Sequence, residues 1–391
     1  MAQVRRFSDQ ARRARAADRL MARAGGVADV VDRLVAVHAT DPATVYLAIA
    51  ARLADPAAPG DAVSAVEQEL YARPARLTRM LAMRRTMFVV RRSFAPEVYA
   101  AAGRRVAVKL RGDLLAFLAE GGGWDAAWLD DVEAEVAAAL TAHPESSGAQ
   151  LSKLVPRLRE QVVVARGKPY EATQNVASRI IRTMAAEGRI ERCTPAGSWT
   201  SGQFRWALAE PLPEVPAVPA RAALAEAWLR AYGPGTEADL KWWTGWTLGE
   251  TRKALAAVGA EAVVLDDGAT GYVLPGDAEA AEAAQAPAVR LLPALDPAAM
   301  GWRERGWFLP PDHEQLFDRT GNIGPTVWWG GQVIGGWAQR PDGTIAWRRL
   351  SPSHAAADAH VAAAANGLAS TLDAARLTPR FRTPLERALS A

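Results

Sequence analysis

One segment near the middle of the chain constrains the fold most, because helical spacing gives way there to two short alternating stretches. Apolar residues recur with a helical period through residues 173–187, and Gly188 stands where a helix commonly ends. Residues 189–193 then alternate as a strand does, and 198–208 supply a second strand after a Pro-Ala-Gly turn. Two further helices are predicted before this segment, over residues 125–142 and 147–158. Three helices followed by a hairpin are typical of a winged helix, with 173–187 as its recognition helix.

The same order is predicted twice more. In the third segment, Thr236 and Thr247 begin capping-box patterns, and the Asp-Asp-Gly at 266–268 predicts a hairpin. Tryptophans 242, 243 and 246 lie at the turn between two of its helices, where we expect packing rather than base stacking. In the first segment, helices are predicted over 8–24, 27–37 and 42–53, and a wing over 77–90.

Three such segments in one chain predict a tandem array. The remainder contains short strands with glycine turns and one amphipathic helix at 354–373. The predicted fold is therefore mainly α with β-hairpins (α+β), with three winged helices and a small C-terminal β-rich region. The predicted boundaries are 1–110, 111–215 and 216–284 for the winged helices and 285–391 for the C-terminal region.

Charge along the chain indicates a polyanionic partner. The formal net charge is only +3, but residues 73–111 hold eleven basic residues and one acid, Glu97. A biased codon usage would explain the choice of arginine over lysine; it would not explain why acids are missing. The sequence contains no run of about 18 apolar residues, so no membrane span is predicted. The lone Cys193 cannot form an internal disulfide. We expect a cytoplasmic, nucleoid-associated protein without metal or cofactor.

Residues 33–52 form a polar corner in an apolar stretch. Pro42 suits the first turn of a helix, and Asp41 before it suits the N-cap. We therefore predict two helices that meet at a sharp elbow, with His38 and Thr40 at the corner. His38 has two open interpretations, a buried structural histidine or a catalytic one.

Three motifs together resemble the AlkZ-like winged-helix DNA glycosylases, the family that includes YcaQ-type proteins. They are residues 35–42 (VAVHATDP), 84–90 (RRTMFVV) and 291–297 (LLPALDP), and the resemblance spans about residues 10–350. The family excises alkylated nucleobases, including bulky adducts and crosslinks, from duplex DNA. It hydrolyses an N-glycosidic bond without metal or cofactor and acts as a monomer. The resemblance thus implies double-stranded DNA as partner.

The chain departs from the family's pattern at its central motif. His38 stands where the family has its first glutamine, Thr40 where it has a second glutamine or an aspartate, and Phe88 where it has a histidine. The resemblance implies His38 as water activator and Thr40 as the group that positions water or sugar. The DNA-binding residues predicted from wing and recognition helix are Arg84, Arg85, Arg91, Arg92, Arg179 and Arg182.

The sequence and the resemblance favour the first of three functions, and the other two are alternatives to it. The first is a DNA glycosylase for alkylated or bulky-adduct purines, in repair or self-resistance. Because the glutamine pair is replaced, the second is a non-catalytic DNA-binding protein, whether a regulator or a lesion binder. The third is a small-molecule sensor that uses the tryptophan-rich C-terminal half.

Overall fold

The computed structural model describes residues 5–54, 60–278 and 287–391, and its helices and small sheets confirm the α+β class. The first segment contains β1 (Arg6–Phe7), α1 (Asp9–Met21), α2 (Val27–Leu34), β2 (Val37–His38), α3 (Pro42–Ala50), α4 (Asp61–Tyr71), β3 (Leu77–Leu81) and β4 (Met87–Arg91). Strands β2, β4 and β3 form one antiparallel sheet in that order.

The elbow differs from the sequence prediction in one respect. Helix α2 ends at Leu34, because Val35 adopts a left-handed conformation with φ of 63°. A short strand, β2, therefore separates the two helices, and His38 lies on that strand. The helix predicted over 27–37 was too long, and α4 was missed altogether. The basic hairpin predicted around Arg84 and Arg85 is present as β3 and β4.

Helix α5 (Ala95–Val98) continues through one π-helical turn into α6 (Arg104–Gly122), which leads to the second segment. That segment contains α7 (Ala126–Ala142), β5 (Ser146–Ser147), α8 (Gly148–Leu154), β6 (Gln161–Val164), β7 (Ala172–Asn175), α9 (Ala177–Ala186), β8 (Ile190–Pro195) and β9 (Phe204–Leu208). The helix predicted from residue 173 begins only at Ala177, since 172–175 pair with β6 as a strand. The segment has a hydrophobic core of its own.

The third segment contains α10 (Ala217–Tyr232), α11 (Glu237–Thr244), α12 (Leu248–Ala257), β10 (Glu261–Leu265) and β11 (Thr270–Val273). Both predicted capping boxes are present, at Thr236 and at Thr247. Trp243 and Trp246 are buried, as expected of packing residues. Strand β1 pairs parallel to β10, so the chain's first strand belongs to the third segment's sheet.

All three segments share one connectivity. In each, a helix leads to a short strand or an isolated bridge. Two helices and a β-hairpin follow, and the second strand of the hairpin pairs with the short strand or the bridge. This connectivity is the one expected of a winged helix, and the number of three stays our interpretation of it. The predicted domain boundaries likewise stay a prediction.

The C-terminal region is a four-stranded antiparallel sheet covered by helices. It contains β12 (Val289–Leu292), α13 (Pro297–Met300), β13 (Thr326–Trp329), β14 (Gln332–Gln339), β15 (Ile345–Arg349), α14 (Asp358–Leu372) and α15 (Pro384–Ser390). One continuous core joins this region to the first and third segments. Within that core, Asp296 of the LLPALDP motif accepts two hydrogen bonds from Arg52, at 2.7 and 2.9 Å.

Candidate nucleic-acid interface

A cavity of about 260 Å³ lies where the first hairpin meets the second segment. Strands β3 and β4 form one side of it, and α9, β8 and β9 form the other. Its lining includes Thr40 and five arginines, namely Arg79, Arg85, Arg182, Arg192 and Arg380. The cavity therefore brings one residue of the elbow motif together with two of the predicted DNA-binding arginines, Arg85 and Arg182.

Thr40 and His38 have different surroundings. Thr40 is half-buried and lines the cavity, whereas His38 does not line it and is only 4% exposed. The His38 ring lies 4.6 Å from the Phe88 ring, and neither of its nitrogens has a hydrogen-bond partner in the described parts of the chain. Burial, assisted by the positive charges of Arg84 and Arg305, lowers the pKa of His38 to about 3. The imidazole is therefore neutral near pH 7 and is a weak base.

Asp41 caps α3, as the sequence predicts. One carboxylate oxygen accepts a hydrogen bond from the Ala43 backbone N–H at 3.1 Å. The other accepts from the backbone N–H of Arg380 at 2.9 Å, which fixes a C-terminal segment across the start of α3. Both oxygens are thus engaged, and the cap role accounts for this carboxylate.

Arg84 and Arg85 form the turn of the hairpin and point to different environments. Both adopt left-handed backbone conformations, with φ of 53° and 59°. The Arg84 guanidinium packs on the Trp242 ring at 4.0 Å, where burial and Arg305 lower its pKa to about 10. Arg85 is exposed and pairs with Asp113 at 3.4 Å. Of the two, only Arg85 is placed to meet a ligand from solvent.

The remaining predicted arginines lie on both sides of the cavity. Arg91 pairs with Asp32 at 3.4 Å, and Arg92 pairs with Glu191 at 2.9 Å, so acids partly neutralise both. On α9, Arg179 stacks on Phe117 at 4.0 Å, while Arg182 is exposed. Although its surface is exposed, partial burial and the neighbouring positive charges of Arg85 and Arg179 lower the pKa of Arg182. The phosphate-binding role of these four residues stays a prediction.

Sequence reasoning missed three residues of the cavity, Arg79, Arg192 and Arg380. Arg79 did carry a signal, because it lies between Leu77 and Leu81 on the buried face of an alternating strand. An arginine on an apolar face is unusual and is commonly paired or functional. Arg380 carries no comparable signal, since it lies in a coil more than 300 residues from the elbow.

In the described parts of the chain, no helix is long and apolar enough to cross a membrane. Nor does any group of three or more His, Cys, Asp or Glu residues there have the proximity that a metal ion requires.

Comparison with known proteins identifies the family. No curated protein sequence matches the chain. Among solved structures, the DNA glycosylase AlkZ of Streptomyces sahachiroi superposes with a TM-score of 0.68 at 22% identity, covering 96% of this chain and 99% of that one. That similarity shows a shared fold. The model of the family described as "DNA glycosylase AlkZ-like" matches residues 31–374, so the chain belongs to the AlkZ-like DNA glycosylase family.

Proposed function

We propose that this protein hydrolyses the N-glycosidic bond of alkylated or bulky-adduct purines in duplex DNA, in repair or self-resistance. The observation that carries the proposal is the position of Thr40, which belongs to the family's central motif and lines a cavity rich in arginine. Positive charge at that cavity suits the phosphates of a DNA strand. We further propose that the protein acts as a monomer and associates with the nucleoid.

The proposed chemistry places few demands on the protein. A purine alkylated at N7 or N3 is already cationic, so it leaves with little help from a general acid. The enzyme must hold a water molecule near the sugar and stabilise an oxocarbenium-like transition state. The Thr40 hydroxyl can hydrogen-bond such a water, although it cannot act as an ionised base.

His38 enters the proposal with a changed role. A pKa of about 3 makes proton acceptance from water unfavourable near neutral pH. Its neutral ring can still hydrogen-bond to water or substrate, because neither nitrogen has a partner in the described parts of the protein. We therefore propose His38 as a hydrogen-bonding or positioning residue and Thr40 as the group that orients water.

Arg85 and Arg182 are the proposed DNA contacts nearest the site, since both are exposed and line the cavity. Arg84 is poorly accessible, because it packs on Trp242 and two of its guanidinium nitrogens are buried. Arg91, Arg92 and Arg179 would contribute through the field of the basic surface more than through direct phosphate contacts.

Base release from a duplex that carries one N7-methylguanine tests the proposal, with abasic sites revealed by alkali. We expect Thr40→Val to lower the single-turnover rate by about 10- to 100-fold, as loss of one positioning hydrogen bond does. Thr40→Ser is the matched control, because it keeps the hydroxyl and should retain most of the rate. Equal rates for wild type, Thr40→Val and Thr40→Ser would remove Thr40 from the mechanism.

One observation favours a second candidate, a DNA-binding protein without catalysis. Two carboxylates close to Thr40 and the cavity are both engaged: Asp41, which follows Thr40, caps a helix, and Glu191 of the lining pairs with Arg92. A duplex carrying a bulky purine adduct separates the candidates. Tight, salt-sensitive binding of both lesions with no release of either base would establish the non-catalytic function.

A further inference from the structure

The cavity contains more positive charge than the surrounding protein neutralises. Among the described residues, the three guanidinium nitrogens of Arg79 and the Nε of Arg192 are buried without a hydrogen-bond partner. Arg182 and Arg380 also line the cavity; both are exposed, and no described carboxylate pairs with them. Glu191 is the acid in the lining, and it already pairs with Arg92 at 2.9 Å and with Arg73 at 3.3 Å. The four guanidinium groups therefore share a cavity without a counterion.

Arg79 is the most unusual of the four. It is 8% exposed, and all three of its guanidinium nitrogens are buried without a partner. Its charged group lies 5.0 Å from the Phe204 ring, and that of Arg192 lies 4.8 Å from the same ring. Burial and the charge of Arg79 lower the pKa of Arg192 to about 10. Ring contacts hold both cations in place but leave their hydrogen bonds unmade.

A buried cation without hydrogen bonds destabilises the free protein, so its presence indicates a ligand that supplies them. Phosphate suits the arrangement, because guanidinium groups bind its oxygens with two parallel hydrogen bonds. The volume of about 260 Å³ is several times the roughly 30 Å³ that one water molecule occupies, which leaves room for a phosphate and part of a sugar.

We propose that this cavity binds a backbone phosphate of the DNA strand, beside the nucleotide that faces Thr40, with the buried Arg79 and the half-buried Arg192 as its ligands. The proposal rests on the proposed function. It also removes a difficulty of that function, since unneutralised arginines would oppose a cationic sugar in the transition state. A bound phosphate would neutralise them next to the reacting nucleotide.

Thermal unfolding tests the phosphate site without any lesion. The wild type is compared in sodium phosphate and in sodium chloride of equal ionic strength, beside Arg79→Met and Arg192→Met. Because phosphate stabilises folded proteins in general, we expect it to raise the Tm of all three proteins, and to raise that of the wild type by clearly more than that of either variant. In chloride, Arg79→Met should unfold at a higher Tm than the wild type, because it removes an unpaired buried charge and keeps an apolar stem. Arg52→Met, which breaks a paired buried arginine, is the control with the opposite sign.

Binding to an undamaged duplex at several salt concentrations then identifies the source of the phosphate. For a backbone phosphate, Arg79→Met should lower the affinity about tenfold at low salt and reduce the slope of log K against log salt by about one. The measurement needs no base release, so it is independent of whether the protein is a glycosylase.

Two outcomes would overturn the proposal. A larger phosphate effect on the Tm of the wild type than on that of the variants, combined with unchanged DNA binding by Arg79→Met, would assign the cavity to a phosphorylated small molecule instead of DNA. A lower Tm for Arg79→Met in chloride, with neither this larger phosphate effect nor a change in affinity, would make Arg79 a structural residue.

Discussion

Arg52 and Arg79 are both buried, and they differ in whether the protein supplies a partner for the guanidinium group. Arg52 is 2% exposed, and its guanidinium makes two hydrogen bonds to Asp296 and others to the carbonyls of Leu20 and Ala48. Arg79 is 8% exposed, and its guanidinium makes no hydrogen bond within the described chain. Burial alone therefore does not distinguish a structural charge from one that awaits a ligand; the presence of its counterion does.

Helix α3 connects the two environments. Arg52 follows its C-terminal end and fixes it to the C-terminal region, together with the hydrogen bond from Thr44 to the Ala294 carbonyl at 2.8 Å. Thr40 and the cap Asp41 precede its other end, beside the cavity. The paired Arg52 thus stabilises the helix that positions the candidate site, whereas the unpaired Arg79 is available to bind the proposed ligand.

The largest change in stability is expected from a substitution of Arg52, the arginine that has a counterion. Arg52→Met leaves the Asp296 carboxylate buried without its cationic partner, so it should lower the free energy of unfolding by about 3–5 kcal/mol. Urea denaturation followed by circular dichroism measures this. In the double variant Arg52→Met/Asp296→Asn, neither charge of this pair remains and the cap of α13 is kept, so part of the loss should be recovered. Equal stability of the single variant and the wild type would end the distinction between the two arginines.

Much of the fold follows from local sequence patterns, and the departures have local causes. The capping boxes at Thr236 and Thr247 and the hairpin between 77 and 91 are short-range signals, and the structure contains all three. Helix α2 ends early because Val35 takes a left-handed conformation, which valine's sequence preference does not predict. Pairing of β1 with β10 joins residues more than 250 positions apart, and no local pattern specifies it.

The candidate site was predictable in part for the same reason. Asp41 as a cap depends only on its neighbours, and it was predicted. Whether an arginine has a counterion depends on the distant chain, since Asp296 lies 244 residues from Arg52. The sequence of β3 could show that Arg79 falls on the buried face. It could not show that no acid meets it there.

His38 is a second buried group without a hydrogen-bond partner in the described chain, and it makes the stability of the protein depend on pH. The charges that act on buried His38 are those of Arg84 and Arg305, both positive, and its pKa falls to about 3 from a value near 6.5 in the unfolded chain. Between these values the unfolded chain binds a proton that the folded chain does not. Stability is therefore lost as pH falls from 6.5 towards 3, by up to about 1.4 kcal/mol per pH unit from this group.

His38→Gln should remove that contribution, so its stability should fall less steeply than that of the wild type between pH 6.5 and 4. Urea denaturation at several pH values gives both slopes. His143→Gln, at an exposed position after α7, is the matched control and should leave the slope of the wild type unchanged. Parallel curves for wild type and His38→Gln would show that His38 is paired or solvated in the folded protein.

The smallest effect is a change in DNA affinity, and it is expected when Arg85 of the cavity loses its acidic partner. Asp113 contacts Arg85 at 3.4 Å and Lys109 at 3.1 Å, and its side chain is 43% exposed. Asp113→Asn keeps the shape and removes the negative charge, so duplex affinity at low salt should rise about two- to fivefold and the gain should vanish at high salt. Asp358→Asn is a matched control, since Asp358 is 41% exposed and pairs with Arg349 in the C-terminal region. If both variants bind like the wild type, Arg85 does not reach the DNA, and the interface must be restricted to the arginines that lack a counterion.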